Sequence, residues 1–127
     1  MWILIPSYEP GERLLGLISG LREHASVLVV DDGSGPRFTE VFDSADRLAA
    51  IVIGHDANQG KAAALRTGFE WLIRNAPGQT VVCADSDGQH LPSDVLAVGA
   101  EVDRRLLGGE PVAVILGVRG KGRAIRL

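Results

Sequence analysis

Asp85, Asp87 and Gln89 are the residues whose types and spacing most directly suggest chemistry. They follow residues 80–84, an apolar run typical of a buried strand. If the backbone stays extended beyond this strand, alternate positions share one face and the three side chains converge. Two carboxylates and an amide oxygen suit Mg²⁺ or Mn²⁺, which proteins usually hold together with substrate phosphates. The spacing predicts a metal site for a phosphorylated substrate, and the alternative is an acidic, solvated turn.

Two more polar loops contain groups that suit a nucleoside. Tyr8 follows the first apolar run and offers a ring on which a nucleobase can stack. Asp32 follows the second run and can accept a hydrogen bond from a base N–H. The glycines at positions 33 and 35 allow the backbone to approach a ligand closely. A packed loop aromatic and an ordinary turn are the alternatives.

A fourth polar loop, residues 55–61, ends in Asn58-Gln59-Gly60-Lys61. It opens a predicted helix, whose first N–H groups have no partner within the helix. Such a helix start binds anions readily, and the charge of Lys61 adds to this preference. The alternative is structural, with Gly60 as a helix-entry residue and Lys61 as a solvated side chain.

The elements that must position these loops alternate between strand and helix along the chain. Strand-like apolar runs occupy residues 2–5, 26–30, 50–53, 80–84 and 112–117. Helical patterns cover residues 12–23, 62–76 and about 92–106, and another helix-length stretch separates the second and third runs. This alternation predicts a parallel α/β sheet. All four loops would then lie at strand carboxyl ends, where such sheets bind ligands, and form one site.

Length and composition limit the class of protein. A chain of 127 residues, 46% of them hydrophobic, predicts a single domain over residues 1–127. A net charge of −3 argues against nucleic-acid binding, and the basic residues 119–126 form either a solvated end or a phosphate-facing loop. The start of the chain predicts a strand, not a signal peptide, and no apolar run is long enough to span a membrane. Cys83 has no internal disulfide partner and is interpreted as a small buried hydrophobe, which favours the cytoplasm.

Four motifs follow the predicted strands. They are Ile5-Pro6-Ser7-Tyr8, Val29-Val30-Asp31-Asp32-Gly33-Ser34, Asn58-Gln59-Gly60-Lys61 with the following residues to Gly68, and Asp85-Ser86-Asp87-Gly88-Gln89-His90. In this order and spacing the motifs resemble those of family 2 glycosyltransferases, and most closely the dolichyl- or polyprenyl-phosphate sugar transferase branch. The resemblance covers nearly the whole chain. It implies a Rossmann-like GT-A nucleotide-diphospho-sugar transferase fold, with a mostly parallel sheet and helices on both faces.

The resemblance also implies roles for individual residues. Pro6, Tyr8 and Asp32 would hold the nucleoside. Asp85, Asp87 and Gln89 would lie at the metal and the diphosphate, and Asp87 with the metal would carry the leaving group. The remaining residues of the implied donor-binding set are Glu9, Asp31, Lys61, Ser86 and Arg119. Relatives commonly show Tyr-Asn-Glu where this chain has Tyr8-Glu9-Pro10. The Glu at the third position of that motif has no counterpart here, and Glu9 is only a weak substitute for it.

The implied reaction is inverting transfer of a sugar from a nucleoside diphosphate, assisted by Mn²⁺ or Mg²⁺. A polyprenyl phosphate or a sugar would be the acceptor. A phosphate acceptor is already anionic and needs no general base. A lipid acceptor would place the protein at the inner face of the membrane through peripheral contact. Because family members usually continue further and form the acceptor site there, we expect this chain to bind the donor but to transfer sugar slowly, with its basic end partly mobile.

Other classes of function fit less well. A non-catalytic sugar-nucleotide-binding fragment or regulator remains an alternative. Asp85-Ser86-Asp87-Gly88 also resembles the nucleophile loop of haloacid-dehalogenase-type phosphatases, but that loop follows the first strand of those enzymes and here it follows the fourth predicted one. The spacing from Gly54 to Lys61 does not match a P-loop, and no Gly-x-Gly-x-x-Gly follows a strand.

Overall fold

The computed structural model of the protein describes residues 1–87, 90–109, 114–118 and 121–125. Its main sheet has four strands in the order β3-β2-β1-β4, and all of its neighbouring strands are parallel. Strands buried on both faces in this way are near-continuous runs of apolar residues, as β1 and β2 are. The strands are β1 (Trp2–Ser7), β2 (Ser26–Asp31), β3 (Ile51–Gly54) and β4 (Val81–Cys83).

Helices cover both faces of the sheet. The helices are α1 (Arg13–Leu21), α2 (Thr39–Arg47), α3 (Lys61–Asn75) and α4 (Pro92–Leu107). Successive side chains of β1 point to opposite faces, so Ile3 and Ile5 pack with α1, α2 and α4 while Leu4 packs with α3. The structure therefore has two apolar cores, one on each side of the sheet.

Gly68 allows α3 to lie very close to β1. A Cβ atom built on Gly68 would lie 2.3 Å from Leu4 Cδ1. This contact sets the distance between the helix and the central strand, and the start of α3 meets the carboxyl ends of the strands at the same edge of the sheet. Gly60 and Lys61 therefore lie beside the loops that follow β1, β2 and β4.

The predicted α/β fold is confirmed, with two differences at the end of the chain. The fifth strand, β5 (Val114–Val118), pairs antiparallel with a sixth, β6 (Lys121–Ile125), outside the four-stranded sheet. The alternative of a phosphate-facing loop was therefore wrong for residues 121–125, which form a strand, whereas the alternative of a solvated end stays a prediction. Residues 112, 113, 119 and 126, on which other parts of these predictions fell, lie outside the described residues.

Cys83 corrects a second expectation, because it is exposed. The side chains of β4 alternate between faces, so Val82 enters the core and Cys83 lies on the other face. Among the described strands β4 is the edge of the main sheet, where this face has less cover. An apolar run predicted the strand correctly but could not show that the strand lies at the edge.

Candidate functional site

One cleft lies at the carboxyl ends of the four parallel strands, with a volume of about 480 Å³. The loops after β1, β2 and β4 contribute to it, and so does the segment that leads from β3 into α3. Four loops that are far apart in sequence thus form one concave surface, as expected for an open α/β sheet. Its lining residues are Pro6, Ser7, Tyr8, Asp32, Asn58, Gly60, Lys61, Ala64, Asp85, Ser86 and Asp87.

Tyr8 forms one side of the cleft and is 52% exposed, so its ring is accessible rather than packed into the loop. The negative charge of Glu9 raises the pKa of the Tyr8 hydroxyl, which keeps the phenol neutral. The Glu9 amide donates a hydrogen bond to Ser34 Oγ at 2.9 Å. The Ser34 amide in turn donates to Asp31 Oδ1 at 2.9 Å. Ser34 thus connects the loop that carries Tyr8 to the end of β2.

Asp32 is 2% exposed, and its carboxylate accepts four hydrogen bonds. Oδ1 accepts from His55 Nδ1 and the Gln59 amide, both at 2.8 Å. Oδ2 accepts from the Gly60 amide at 2.9 Å and Asn58 Nδ2 at 3.0 Å. A carboxylate offers about four lone-pair positions, so these donors fill its capacity. Burial alone raises the pKa of Asp32, but the hydrogen bonds from Gln59, His55 and Gly60 lower the pKa below 3.8 overall.

Gly33 lets the loop after β2 contact the loop before α3. Its φ is +69°, and a Cβ atom there would lie 2.2 Å from the Ala57 carbonyl carbon and 2.3 Å from the Asn58 nitrogen. No side chain fits in this space. The backbones of the two loops therefore lie in direct contact, immediately beside the hydrogen bonds of Asp32.

Asp85 lies in the segment directly after β4, in contact with two basic side chains. Lys61 Nζ is 2.6 Å from Asp85 Oδ1, and His90 Nε2 is 3.5 Å from Asp85 Oδ2. The hydrogen bond from Lys61 lowers the pKa of Asp85, so the carboxylate is charged at neutral pH. The ion pair is largely solvent-exposed, and such pairs exchange partners easily.

The acidic loop can provide carboxylates for a divalent cation. Asp85 and Asp87 both line the cleft and both come from the turn after β4. The described residues contain no group of three or more His, Cys, Asp or Glu side chains placed to hold a metal. Two carboxylates completed by substrate phosphates nevertheless suit Mg²⁺ or Mn²⁺, which often keep open positions for phosphate and water. The donor set therefore fits a metal that arrives with a phosphorylated ligand.

The structure gathers most of the residues named from the sequence, though not all. Seven of them line the cleft: Pro6, Tyr8, Asp32, Lys61, Asp85, Ser86 and Asp87. Glu9 and Asp31 are absent from its lining. Gln89 and Arg119 lie outside the described residues. The expected extended backbone was wrong, because Ser86 and Asp87 form a turn. That turn, not strand geometry, carries Asp85 and Asp87 to the cleft.

Sequence reasoning missed Asn58 and His55. Asn58 lines the cleft, and its Nδ2 also donates to the Asp32 carbonyl oxygen at 3.2 Å. His55 is buried behind the cleft with Asp32. Asn58 lies in one of the four motifs and both residues lie in the polar run between β3 and α3, but these patterns did not indicate which members point inward.

Comparison with known proteins identifies the class to which this fold and cleft belong. The family model for glycosyl transferase family 2 matches residues 2–125. The chain belongs to this family, and its structure has the GT-A fold of glycosyltransferases.

Individual relatives are distant and longer. Protein MJ1222 of Methanocaldococcus jannaschii is 29% identical, with 75% of this chain and 38% of that protein covered. A UDP-N-acetylglucosamine–dolichyl-phosphate N-acetylglucosaminyltransferase of Methanococcus voltae is 24% identical, with coverages of 77% and 45%. The chain thus spans about two fifths of the length of the curated relatives it matches.

Solved structures show the same fold. S. aureus TarS 1-349 superposes with a TM-score of 0.57 at 19% identity, covering 96% of this chain and 37% of TarS. The same protein in complex with UDP gives a TM-score of 0.53, also at 19% identity and with the same coverages. Within the part of this chain that the structure describes, no helix has both the length and the apolar character that crossing a membrane requires.

Proposed function

We propose that this domain binds a nucleoside diphosphate sugar in the cleft and contributes the donor side of a metal-assisted, inverting sugar transfer. One observation carries the proposal: a single cleft contains an accessible aromatic ring, the start of a helix with a lysine, and two carboxylates. These three features match the base, the diphosphate and the metal of such a donor. Membership of glycosyl transferase family 2 and the likeness to a fold neighbour solved with UDP support the same donor class.

The nucleoside is assigned to the side of the cleft formed by Pro6 and Tyr8. Tyr8 presents an exposed ring, and every nucleobase has a face that can stack on it. Asp32 was predicted to accept a hydrogen bond from the base. Its carboxylate already has four protein donors, so we assign it instead to shaping the floor of the cleft.

The diphosphate is assigned to the part of the cleft between the start of α3 and the acidic turn. Lys61 and the first N–H groups of α3 provide positive charge there. Mg²⁺ or Mn²⁺ held by Asp85 and Asp87 would neutralise the charge that develops on the departing diphosphate. The exposed ion pair between Lys61 and Asp85 can open, so that the lysine contacts a phosphate while Asp85 contacts the cation.

We assign a polyprenyl phosphate as the acceptor, in preference to a sugar hydroxyl. Its phosphate oxygen is a nucleophile that needs no general base. The Methanococcus voltae relative, by its name, acts on dolichyl phosphate, which supports this choice. The reaction would then take place in the cytoplasm, at the inner face of the membrane, with the acceptor side supplied by sequence that the longer relatives have.

A second candidate is a module that binds sugar nucleotides without transferring the sugar. The described cleft contains groups suited to a base, a diphosphate and a metal, which is all that such a module requires. Formation of a glycolipid, or hydrolysis of the donor, separates an enzyme from such a module.

Tyr8→Ala is expected to weaken binding of the free nucleoside as well as the sugar nucleotide, by about 1–3 kcal/mol, the range for base stacking on an aromatic side chain. Tyr8→Phe retains the ring and should bind almost as well as the wild type. Calorimetric titration with the nucleoside and with its diphosphate sugar measures both effects. Loss confined to the sugar nucleotide would place Tyr8 away from the base.

A further inference from the structure

We propose that His55 is a positioning residue: acting through Asp32, it holds residues 58–60 and the start of α3 in the arrangement that receives the diphosphate. His55 lines no part of the cleft and touches no proposed ligand group. Its effect would pass through the buried carboxylate. The inference rests on the proposed function for its ligand, but the geometry of the loop can be tested without one.

The hydrogen bonds of the His55 ring determine which nitrogen carries the proton. Its side chain is 8% exposed, and that of Asp32 is 3% exposed. An ionised carboxylate can only accept, so His55 Nδ1, 2.8 Å from Asp32 Oδ1, must be the donor. In the neutral ring Nε2 is then an acceptor, and the Thr67 hydroxyl, 2.7 Å away, donates to it. His55 therefore connects the end of β2 to the body of α3.

The same carboxylate fixes the segment that leads into α3. Two consecutive amides, those of Gln59 and Gly60, donate to its two oxygens. Gly60 has a φ of +97°, which allows the chain to turn directly into the helix. The Gln59 and Gly60 amides are directed at Asp32. The N–H groups of residues 61–63, which follow them, come before the first hydrogen bond of the helix, from the Ala64 amide to the Gly60 carbonyl, and have no helical partner. Their direction relative to the cleft depends on this arrangement.

Removing the His55 donor would loosen the arrangement selectively. A buried carboxylate that loses one donor keeps its desolvation cost, so it recruits water or shifts toward solvent. The two amides would then be released together, while the loop that carries Tyr8 keeps its separate hydrogen bond from the Glu9 amide to Ser34. Diphosphate affinity should therefore fall more than nucleoside affinity.

A matched pair of polar substitutions tests this. His55→Asn places an amide near the position of Nδ1, where it can still donate to Asp32, whereas His55→Gln reaches the position of Nε2 and leaves Asp32 without this donor. Thr67→Val removes only the partner of Nε2. Amide hydrogen exchange of Gln59 and Gly60 in the free protein is one readout. The other is calorimetric affinity for uridine and guanosine and for their diphosphates with Mn²⁺.

His55→Gln should speed exchange at both amides and weaken the preferred diphosphate roughly tenfold, as expected for one lost hydrogen bond to a charged group, with nucleoside affinity nearly unchanged. His55→Asn and Thr67→Val should stay close to the wild type in both readouts. Equal behaviour of the Gln and Asn variants would overturn the inference, as would equal losses for nucleoside and diphosphate. If the wild-type chain binds no nucleotide, the proposed function fails, and the exchange rates still decide whether His55 holds the loop.

Discussion

Asp87→Ala is expected to abolish the metal-dependent part of nucleoside diphosphate binding. A diphosphate and the carboxylates of the acidic turn repel one another unless a cation lies between them. Asp87 is exposed and would be one of two carboxylates that hold the cation, so affinity in Mn²⁺ should fall by about 10- to 100-fold, the range for residues that support a bound metal. Calorimetry in Mn²⁺ and in EDTA separates the metal-dependent component from the rest.

Asp43→Ala is the matched control for Asp87→Ala, because Asp43 is an exposed aspartate of α2 outside the cleft lining. It removes the same charge away from the proposed metal, and it should keep most of the metal-dependent affinity. If Asp87→Ala bound the diphosphate as tightly as the wild type in both buffers, the assignment of the metal to Asp85 and Asp87 would be wrong.

Gly33→Ala is expected to lower the free energy of unfolding by about 2–5 kcal/mol. The new Cβ would lie 2.2 Å from the Ala57 carbonyl carbon, which is backbone and cannot rotate away. Overpacking of this kind costs about 1–3 kcal/mol, and a left-handed backbone adds about 1–2 kcal/mol for a residue other than glycine. Thermal denaturation should show a Tm lower by roughly 10 °C.

Gly78→Ala isolates the cause of that loss. Gly78 has a similar positive φ, +76°, but a Cβ atom there would meet nothing within 4 Å. It carries the backbone strain without the collision, so it should destabilise by only the smaller, conformational part. Equal Tm values for the two variants would show that a Cβ atom at position 33 does not collide with the loop before α3.

The sequence predicted the sheet and most of the cleft because those features depend on local patterns. Apolar runs separated by helical periodicity predict parallel strands, and parallel strands bring their carboxyl ends to one edge. Tyr8, Lys61 and Asp87 were therefore expected in one site, and the structure brings them there. The four motifs in order also allowed the family to be named, and the match over residues 2–125 confirms it.

What the sequence could not show depends on contacts between loops. Asp32 was predicted as a base acceptor because it follows a strand in a glycine-rich loop, but its hydrogen bonds to His55 and Asn58 arise only from the packing of two distant segments. The edge position of β4, and with it the exposure of Cys83, depends on strand order. Neither can be derived from residue types along a single chain.

The central claim, that the cleft binds a nucleoside diphosphate sugar with a divalent metal, is tested most directly by thermal shift. The chain should be heated with a panel of UDP- and GDP-sugars, each with Mn²⁺ and with EDTA. A ligand at 100 times its Kd stabilises a protein by about 2.7 kcal/mol, so at least one donor should raise Tm by roughly 10 °C in Mn²⁺ and by much less in EDTA. No shift with any sugar nucleotide at saturating concentration, or the same shift in EDTA, would contradict the account.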